Sequence, residues 1–189
     1  MLLSREQYAV TGFEHKAPLF KKLLGSLQGK PGLRFLEVGS FAGASSEWFL
    51  QNILTDETSI LVCVDIWNDK PDSRKDELVI PGSRQAFDER TAVFTNKVVA
   101  LEGLSQELLR GLGLEEFDFI FVDGSHEFSD VLTDAVLAFG LLKIGAVMVF
   151  DDYEPKSEVF FAVNFFLEAF RKKLEILYQE NLVAIRRTT

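Results

Sequence analysis

The chain has 189 residues and a formal net charge of −9 at pH 7, from 29 acidic and 20 basic residues. This excess of negative charge argues against nucleic acid or an anionic membrane as a partner, because phosphate binding requires clustered Lys and Arg. Hydrophobic residues make up 47% of the sequence, which excludes a disordered chain. No apolar run approaches the ~20 residues that a membrane span needs.

The length suits one domain with a full hydrophobic core. We expect residues 1–30 to form a helical N-terminal cap and residues 31–189 to form the main body. The single cysteine, Cys63, cannot form an internal disulfide, which favours a reducing cytoplasm. The N-terminus has no long apolar segment, so we expect no signal peptide.

The cap contains one clear helical pattern. Apolar residues recur at helical spacing between Lys16 and Leu27, which predicts an amphipathic helix. The sequence Lys-Pro-Gly at 30–32 ends it and leads into the first strand.

The segment 34–46, Arg-Phe-Leu-Glu-Val-Gly-Ser-Phe-Ala-Gly-Ala-Ser-Ser, predicts a buried strand, a tight glycine turn and a helix from about Gly43. Gly39 can take the backbone angles of the turn, and Gly43 allows a ligand or a strand to come close. Ser40 or Ser45 can cap the start of the helix, whose free N–H groups face the turn.

Glu37 lies at the carboxyl end of this first strand, beside the turn. A carboxylate there suits a ligand with hydroxyls or an ammonium group and suits a pyrophosphate badly. The dinucleotide fingerprint G-x-G-x-x-G has a glycine where this chain has Glu37. The segment therefore predicts a binding turn of another kind, although an ordinary strand-turn-helix unit is the alternative.

A second buried strand is predicted at 59–65, because its residues are almost all apolar. It ends in Asp65, at the position where a carboxylate holds the hydroxyls of a ribose. The alternative is that Asp65 only caps the next turn. Trp67 follows, and either lies against an adenosine or packs in the core.

The next segments complete this half of the sheet. Residues 68–82 are polar with a proline near each end, and a loop of this length is often a lid or a binding loop. A helix is predicted at 83–95 and a third strand at 97–101.

The most informative segment is 117–126, Phe-Asp-Phe-Ile-Phe-Val-Asp-Gly-Ser-His. It predicts a fourth strand to Val122, followed by a helix at 128–142 and a fifth strand at 146–150 that ends in Asp-Asp-Tyr. Because such a unit makes parallel strands by a right-handed crossover, Asp123, Asp151 and Asp152 should crowd one edge of the sheet. Hard oxygen ligands of this kind suit Mg²⁺ or Ca²⁺. The alternative is that these aspartates cap loops and helices.

The run E-V-G-S-F-A-G resembles motif I of class I S-adenosylmethionine (SAM)-dependent methyltransferases. Over residues 33–153, the D-G-S-H and D-D-Y sequences at this spacing resemble the O-methyltransferases of the macrolide-sugar, novobiocin and catechol type. The resemblance implies a Rossmann-like α/β fold with helices on both faces of a seven-stranded, mostly parallel sheet of order 3-2-1-4-5-7-6. A helix at 157–173 and an antiparallel hairpin at 174–186 complete this fold.

The resemblance also implies the function of individual residues. SAM would be bound by residues of the motif I turn, of the next two strand ends and of the fourth strand: Glu37, Gly39, Ser40, Gly43, Ser45, Asp65, Trp67, Ser105 and Asp123. Leu104 stands where the family often has an acidic residue, which weakens the expected contact of Ser105 with adenine.

On the acceptor side, the resemblance implies Mg²⁺ held by Asp123, Asp151 and Asp152, with Asp123 and His126 as catalytic residues. A metal-free site with His126 as the base is the alternative, because the pKa of ~6.5 of histidine allows it to take a hydroxyl proton near neutral pH. The expected acceptor is a small molecule, of sugar or natural-product type, and a homodimer is a further expectation. Two other classes stay open: a catalytically silent SAM-binding protein and an NAD-using Rossmann-type enzyme.

Overall fold

A computed structural model describes residues 13–67 and 82–189. The predicted binding loop at 68–82 therefore lies outside the described residues except for Gly82. So do the first twelve residues of the predicted cap. Within the described residues, no helix is both long and apolar enough to pass through a membrane.

The centre of the fold is a seven-stranded sheet of order β3-β2-β1-β4-β5-β7-β6, as the sequence predicted. Its first five strands are parallel, and β7 pairs antiparallel with both β5 and β6. The strands are β1 Arg34–Val38, β2 Ile60–Asp65, β3 Val98–Glu102, β4 Phe117–Val122, β5 Leu142–Phe150, β6 Leu174–Gln179 and β7 Val183–Arg187.

Helices cover both faces of this sheet. They are α1 Ala17–Leu24, α2 Ala44–Asn52, α3 Ser83–Thr91, the short α4 Ser105–Leu108, α5 Phe128–Leu141 and α6 Glu158–Phe170. Each predicted helix and strand is present, with boundaries that differ by a few residues. One such difference is at β5, which starts at Leu142 instead of Ala146 because α5 leads into it without a loop.

The core consists of two layers, one on each face of the sheet. Successive strand residues alternate between the layers, as the pleat requires. In β4, Phe119 and Phe121 face α1 and α2, whereas Ile120 and Val122 face α5 and α6. In β5, Val149 faces the α1 side and Phe150 the α6 side.

A cluster of aromatic rings attaches the segment around α1 to the sheet. Phe13 and Phe20 lie with their ring centroids 6.1 and 5.3 Å from the ring of Phe121. Both also contact Trp48 and Phe49 of α2 at 5.5–6.2 Å. Tilted and edge-to-face pairs of this kind add to the area that the rings bury, so the position of α1 on the sheet is well determined.

The turns after β1 and β4 touch each other through their backbones. Gly39 has φ 87°, and a Cβ at this position would lie 1.9 Å from the carbonyl oxygen of Asp123. The N–H of Gly39 donates to the carbonyl of Val64, and that of Asp123 donates to the carbonyl of Val38. Only glycine fits between these strand ends, as the sequence predicted for this turn.

Gly39→Ala should therefore destabilise the fold by on the order of 3 kcal/mol, since it combines left-handed backbone strain with overlap against backbone that cannot move freely. Gly32→Ala is the matched control. Gly32 has φ 68°, but a Cβ at this position would have no other atom within 4 Å, so the variant should lose only the backbone cost of about 1 kcal/mol. Urea unfolding measures both, and equal losses would contradict the close approach at Gly39.

Candidate active site at the carboxyl edge of the sheet

The carboxylate of Glu37 is fully buried behind the glycine turn. It accepts hydrogen bonds from the hydroxyls of Ser40 at 2.8 Å and of Ser45 and Ser46. The Sγ of Cys63 on β2 lies 3.7 Å away. The predicted ligand-binding carboxylate thus faces three serines, and it ties β1 to the turn and to the first residues of α2.

Burial dominates the electrostatics of this cluster. It raises the pKa of Glu37, although the three serine hydroxyls oppose the shift by stabilising the charged form. Burial also raises the pKa of the Cys63 thiol well above its usual range, and the neighbouring Glu37 charge adds to that rise. Cys63 is therefore an inert thiol and not a nucleophile.

The capping role expected for Ser40 or Ser45 is wrong. The N-cap of α2 is Gly43, with φ 78°, and no side chain caps this helix. The serine hydroxyls donate to Glu37 because a buried carboxylate requires donors more strongly than a helix end open to other partners. The close approach expected at Gly43 is made by Phe87 of α3, since a Cβ on Gly43 would lie 3.0 Å from its ring.

Asp65, at the end of β2, holds two strained backbone positions. Its carboxylate accepts the N–H of Phe41 and the N–H of Trp67, both at 2.7 Å. Phe41 and Trp67 have φ values of 44° and 33°, which are costly for residues with a side chain. The indole N–H of Trp67 also donates to the carbonyl of Phe41 at 2.8 Å. Asp65 is half-buried and caps both of these backbone positions.

The ring of Trp67 is buried, with 5% of the residue exposed. It packs on Phe87 with centroids 4.8 Å apart, and the guanidinium of Arg84 lies 4.5 Å from its centroid. The packing interpretation of Trp67 thus describes its contacts in this structure. Ser105 lies at the start of α4, where its hydroxyl donates to Asp134 of α5 at 2.9 Å.

The expected aspartates lie next to one another at the ends of β4 and β5, but Asp151 and Asp152 bind different partners. Asp151 is buried and forms an ion pair with Lys16, which immediately precedes α1. Its other oxygen accepts the N–H of Asp152 at 2.9 Å. Asp152, with φ 52°, turns to the other side and lies 2.9 Å from Nε2 of His126. The carboxylates of Asp151 and Asp152 therefore do not point to one common centre.

The charges of these groups affect one another. Burial, together with the carboxylates of Asp151 and Asp152, raises the pKa of Asp123 well above its usual value. The hydrogen bond from His126 lowers the pKa of Asp152 in spite of partial burial. Burial opposes the charged form of Lys16, but the bond to Asp151 and the charges of Asp123 and Asp152 outweigh it and raise the pKa of Lys16.

The three-carboxylate magnesium site does not fit this arrangement, because Asp151 is paired with the Lys16 ammonium and its carboxylate is not in the group whose ligand atoms converge. The group that does converge is Asp123, His126 and Asp152, with one ligand atom from each within 4.8 Å of the others. One nitrogen and two carboxylates are a poorer set for Mg²⁺, which prefers oxygen, than the set expected from the sequence.

Three residues of the site carried no usable signal in the sequence. Lys16 is one basic residue among several near the N-terminus, and Ser46 is one of two adjacent serines. Phe41 contributes backbone groups, its N–H to Asp65 and its carbonyl to Trp67. The direction of Asp151 could have been predicted from the alternation along β5, because every second residue of a strand faces the same side of the sheet.

Taken together, the strand order, the glycine turn after β1 and the acidic strand ends define the class I methyltransferase fold. A family model described as a methyltransferase domain matches residues 36–153, more than half of the chain. The chain belongs to this family, and the predicted class is confirmed.

Solved structures agree with this fold. Cofactor-bound Rv0187 from MTB has a TM-score of 0.70 at 17% identity, over 98% of this chain and 83% of its own. The O-methyltransferase TomG from Streptomyces achromogenes, in complex with SAM, has a TM-score of 0.68 at 19% identity, over 100% of this chain and 92% of its own.

MycE from the mycinamycin biosynthetic pathway, in complex with Mg, SAH and mycinamycin VI, has a TM-score of 0.59 at 15% identity. The alignment covers 90% of this chain but 48% of MycE. At these identities the likenesses establish the fold. No curated protein matches the chain significantly.

Asp123→Asn should stabilise the protein at neutral pH. The pKa of Asp123 is raised in the folded state, so folding favours the protonated carboxyl group. Its contribution to the free energy of unfolding is complete below about pH 4 and is lost as the pH rises through the folded pKa. The asparagine cannot ionise, so the urea midpoint of the variant should exceed that of the wild type at pH 8. The difference between the two midpoints should become smaller as the pH falls towards about 4.5. A variant that is less stable at pH 8 would contradict this electrostatic account.

Proposed function

We propose that the chain transfers the methyl group of SAM to a hydroxyl of a small molecule, of sugar or natural-product type. The observation that carries this proposal is the side-by-side placement of three features at one sheet edge. These are the glycine turn after β1, the carboxylate of Asp65 at the end of β2, and the His126–Asp152 pair beside Asp123.

The cofactor side lies over β1 and β2. The backbone of the turn at Gly39 would contact the cofactor, and the hydrogen bonds of Ser40 and Ser45 to Glu37 fix the conformation of that turn. Asp65 accepts one backbone N–H on each oxygen, and a carboxylate has about four acceptor sites, so acceptor capacity remains for the two ribose hydroxyls. A cofactor contact of Gly43, Trp67 or Ser105 remains a prediction, since the contacts of all three in the structure are with protein.

The acceptor side lies over β4 and β5. SAM carries an activated methyl group, so the protein must orient the acceptor and remove its proton. His126 is the proposed base, because its ring is held by Asp152, whose lowered pKa keeps it charged and able to stabilise the imidazolium. Asp123 lies between the two sides and would contact both cofactor and acceptor.

Several features support this proposal over the alternatives. Glu37 and the absence of the dinucleotide glycine pattern disfavour NAD. TomG in complex with SAM, and MycE in complex with Mg, SAH and mycinamycin VI, share the fold. The His126–Asp152 pair gives the site a base, which a silent SAM-binding protein would not need. The net charge of −9 and the buried Cys63 favour a small-molecule partner and a reducing cytoplasm.

S-adenosylhomocysteine should bind in calorimetry and raise the melting temperature, whereas NAD should do neither. Asp65→Ala should weaken that binding by about 10–150-fold, which corresponds to the loss of charge-assisted bonds of about 1.5–3 kcal/mol. Glu102→Ala is the matched control, because Glu102 is the register partner of Asp65 on β3 and pairs with Arg84. Unchanged affinity in Asp65→Ala would remove Asp65 from the cofactor site.

Methyl transfer to a panel of hydroxylated acceptors should fall by roughly 10²–10⁴-fold in His126→Ala, because the base is lost. Treatment with EDTA should leave wild-type activity unchanged. The control is Asn164→Ala, which removes a polar side chain of α6 that donates a hydrogen bond to the hydroxyl of Tyr153. If EDTA abolishes activity and Mg²⁺ restores it, the metal-free acceptor site is wrong. If SAM binds and no acceptor is methylated, the silent SAM-binding alternative is favoured.

A further inference from the structure

The ion pair of Lys16 and Asp151 connects the N-terminal segment to the acceptor edge. Its two side chains are 16% and 3% exposed. Removing either partner of such a pair leaves a charge that water reaches poorly. The pair is therefore part of the built site and not a surface contact.

Lys16 reaches this place because the chain around it is fixed. Its N–H donates to the carbonyl of Phe13 at 2.9 Å, and its own carbonyl accepts the N–H of Leu19 at 3.0 Å and that of Phe20 at 3.2 Å. Phe13 and Phe20 are members of the aromatic cluster against Phe121, two residues before Asp123. The contacts that fix the position of the Lys16 ammonium are therefore made with the end of β4, the strand that Asp123 follows.

Asp151 is directed to Lys16 by the pleat of β5. Val147 and Val149 face the α1 layer, and Asp151 continues that alternation. One carboxylate oxygen binds Lys16 and the other accepts the N–H of Asp152. A divalent ion at Asp151 would either have to displace the Lys16 ammonium or lie next to its positive charge.

We infer that Lys16 is the resident cation of this acceptor edge and keeps Asp151 out of any metal site. The Lys16 ammonium supplies the positive charge beside Asp123, Asp151 and Asp152 that a divalent ion would otherwise supply. The first part concerns ion binding alone. The second part, that methyl transfer needs no divalent ion, rests on the proposed function.

Mn²⁺ binding, followed by electron paramagnetic resonance and by calorimetry without SAM or acceptor, tests the first part. Lys16→Met should bind Mn²⁺ at least tenfold more tightly than the wild type, because Asp151 becomes available as a third carboxylate. Lys16→Met/Asp151→Asn should lose that gain. Lys22→Met, on the exposed side of α1, removes the same charge from the same helical segment and should behave as the wild type.

The double variant Lys16→Met/Asp151→Asn keeps the test decisive if Lys16→Met does not fold, because it removes both charges of the pair together. It should bind Mn²⁺ as the wild type does, since Asp151 is not a ligand there. A loss of tenfold or more in the double variant, or no gain in a folded Lys16→Met, would overturn the inference.

The activity arm is separate from the binding arm. Lys16→Met should become dependent on Mg²⁺ for methyl transfer, whereas the wild type should not respond to EDTA. A gain of Mn²⁺ affinity in Lys16→Met with no methyl transfer by the wild type would contradict the proposed function and leave the ion-binding inference intact. Methyl transfer that requires Mg²⁺ in the wild type would overturn the inference and leave the transferase function intact.

Discussion

The site depends on how the carboxylates at the ends of parallel strands are compensated. Parallel pairing brings the carboxyl ends of β1, β2, β4 and β5 to one edge, and each of these strand ends carries an acid. Four of these acids have compensating partners of four kinds: serine hydroxyls at Glu37, backbone N–H groups at Asp65, an ammonium at Asp151 and an imidazole at Asp152. Each partner also fixes the direction of its carboxylate, so charge compensation and site geometry have the same cause.

The fold could be predicted from the sequence almost completely, because the signals were local. The apolar runs of β2 and β4 and the glycine of the turn after β1 each specify a strand or a turn without reference to distant residues. The family resemblance then supplied the strand order, which local patterns do not contain. The boundary of β5 was missed because residues 142–145 include Gly145 and Lys143, whose composition predicts a turn although the strand extends through them.

The candidate site was predictable in part. Residues whose role depends on the strand they end, such as Asp65, Asp123 and Asp152, lie where the sequence placed them. Lys16 could not be assigned because its partner, Asp151, lies 135 positions away along the chain. Ser46 could not be assigned because its bond to Glu37 forms only when α2 packs beside the end of β1. The capping role of Ser40 and Ser45 failed for the same reason, since the competing acceptor, a buried Glu37, becomes visible only when the strand and the helix are packed together.

The separation of Lys16 from Asp151 along the chain has a consequence for biosynthesis. The two residues are 135 positions apart. At a synthesis rate of ~5–20 residues per second, Asp151 leaves the ribosome roughly 7–27 s after Lys16. The aromatic partners of the N-terminal segment, up to Phe121, are all synthesised before Asp151. The nascent chain can therefore dock this segment on hydrophobic contacts first, and the acidic edge is neutralised only once the end of β5 has been made.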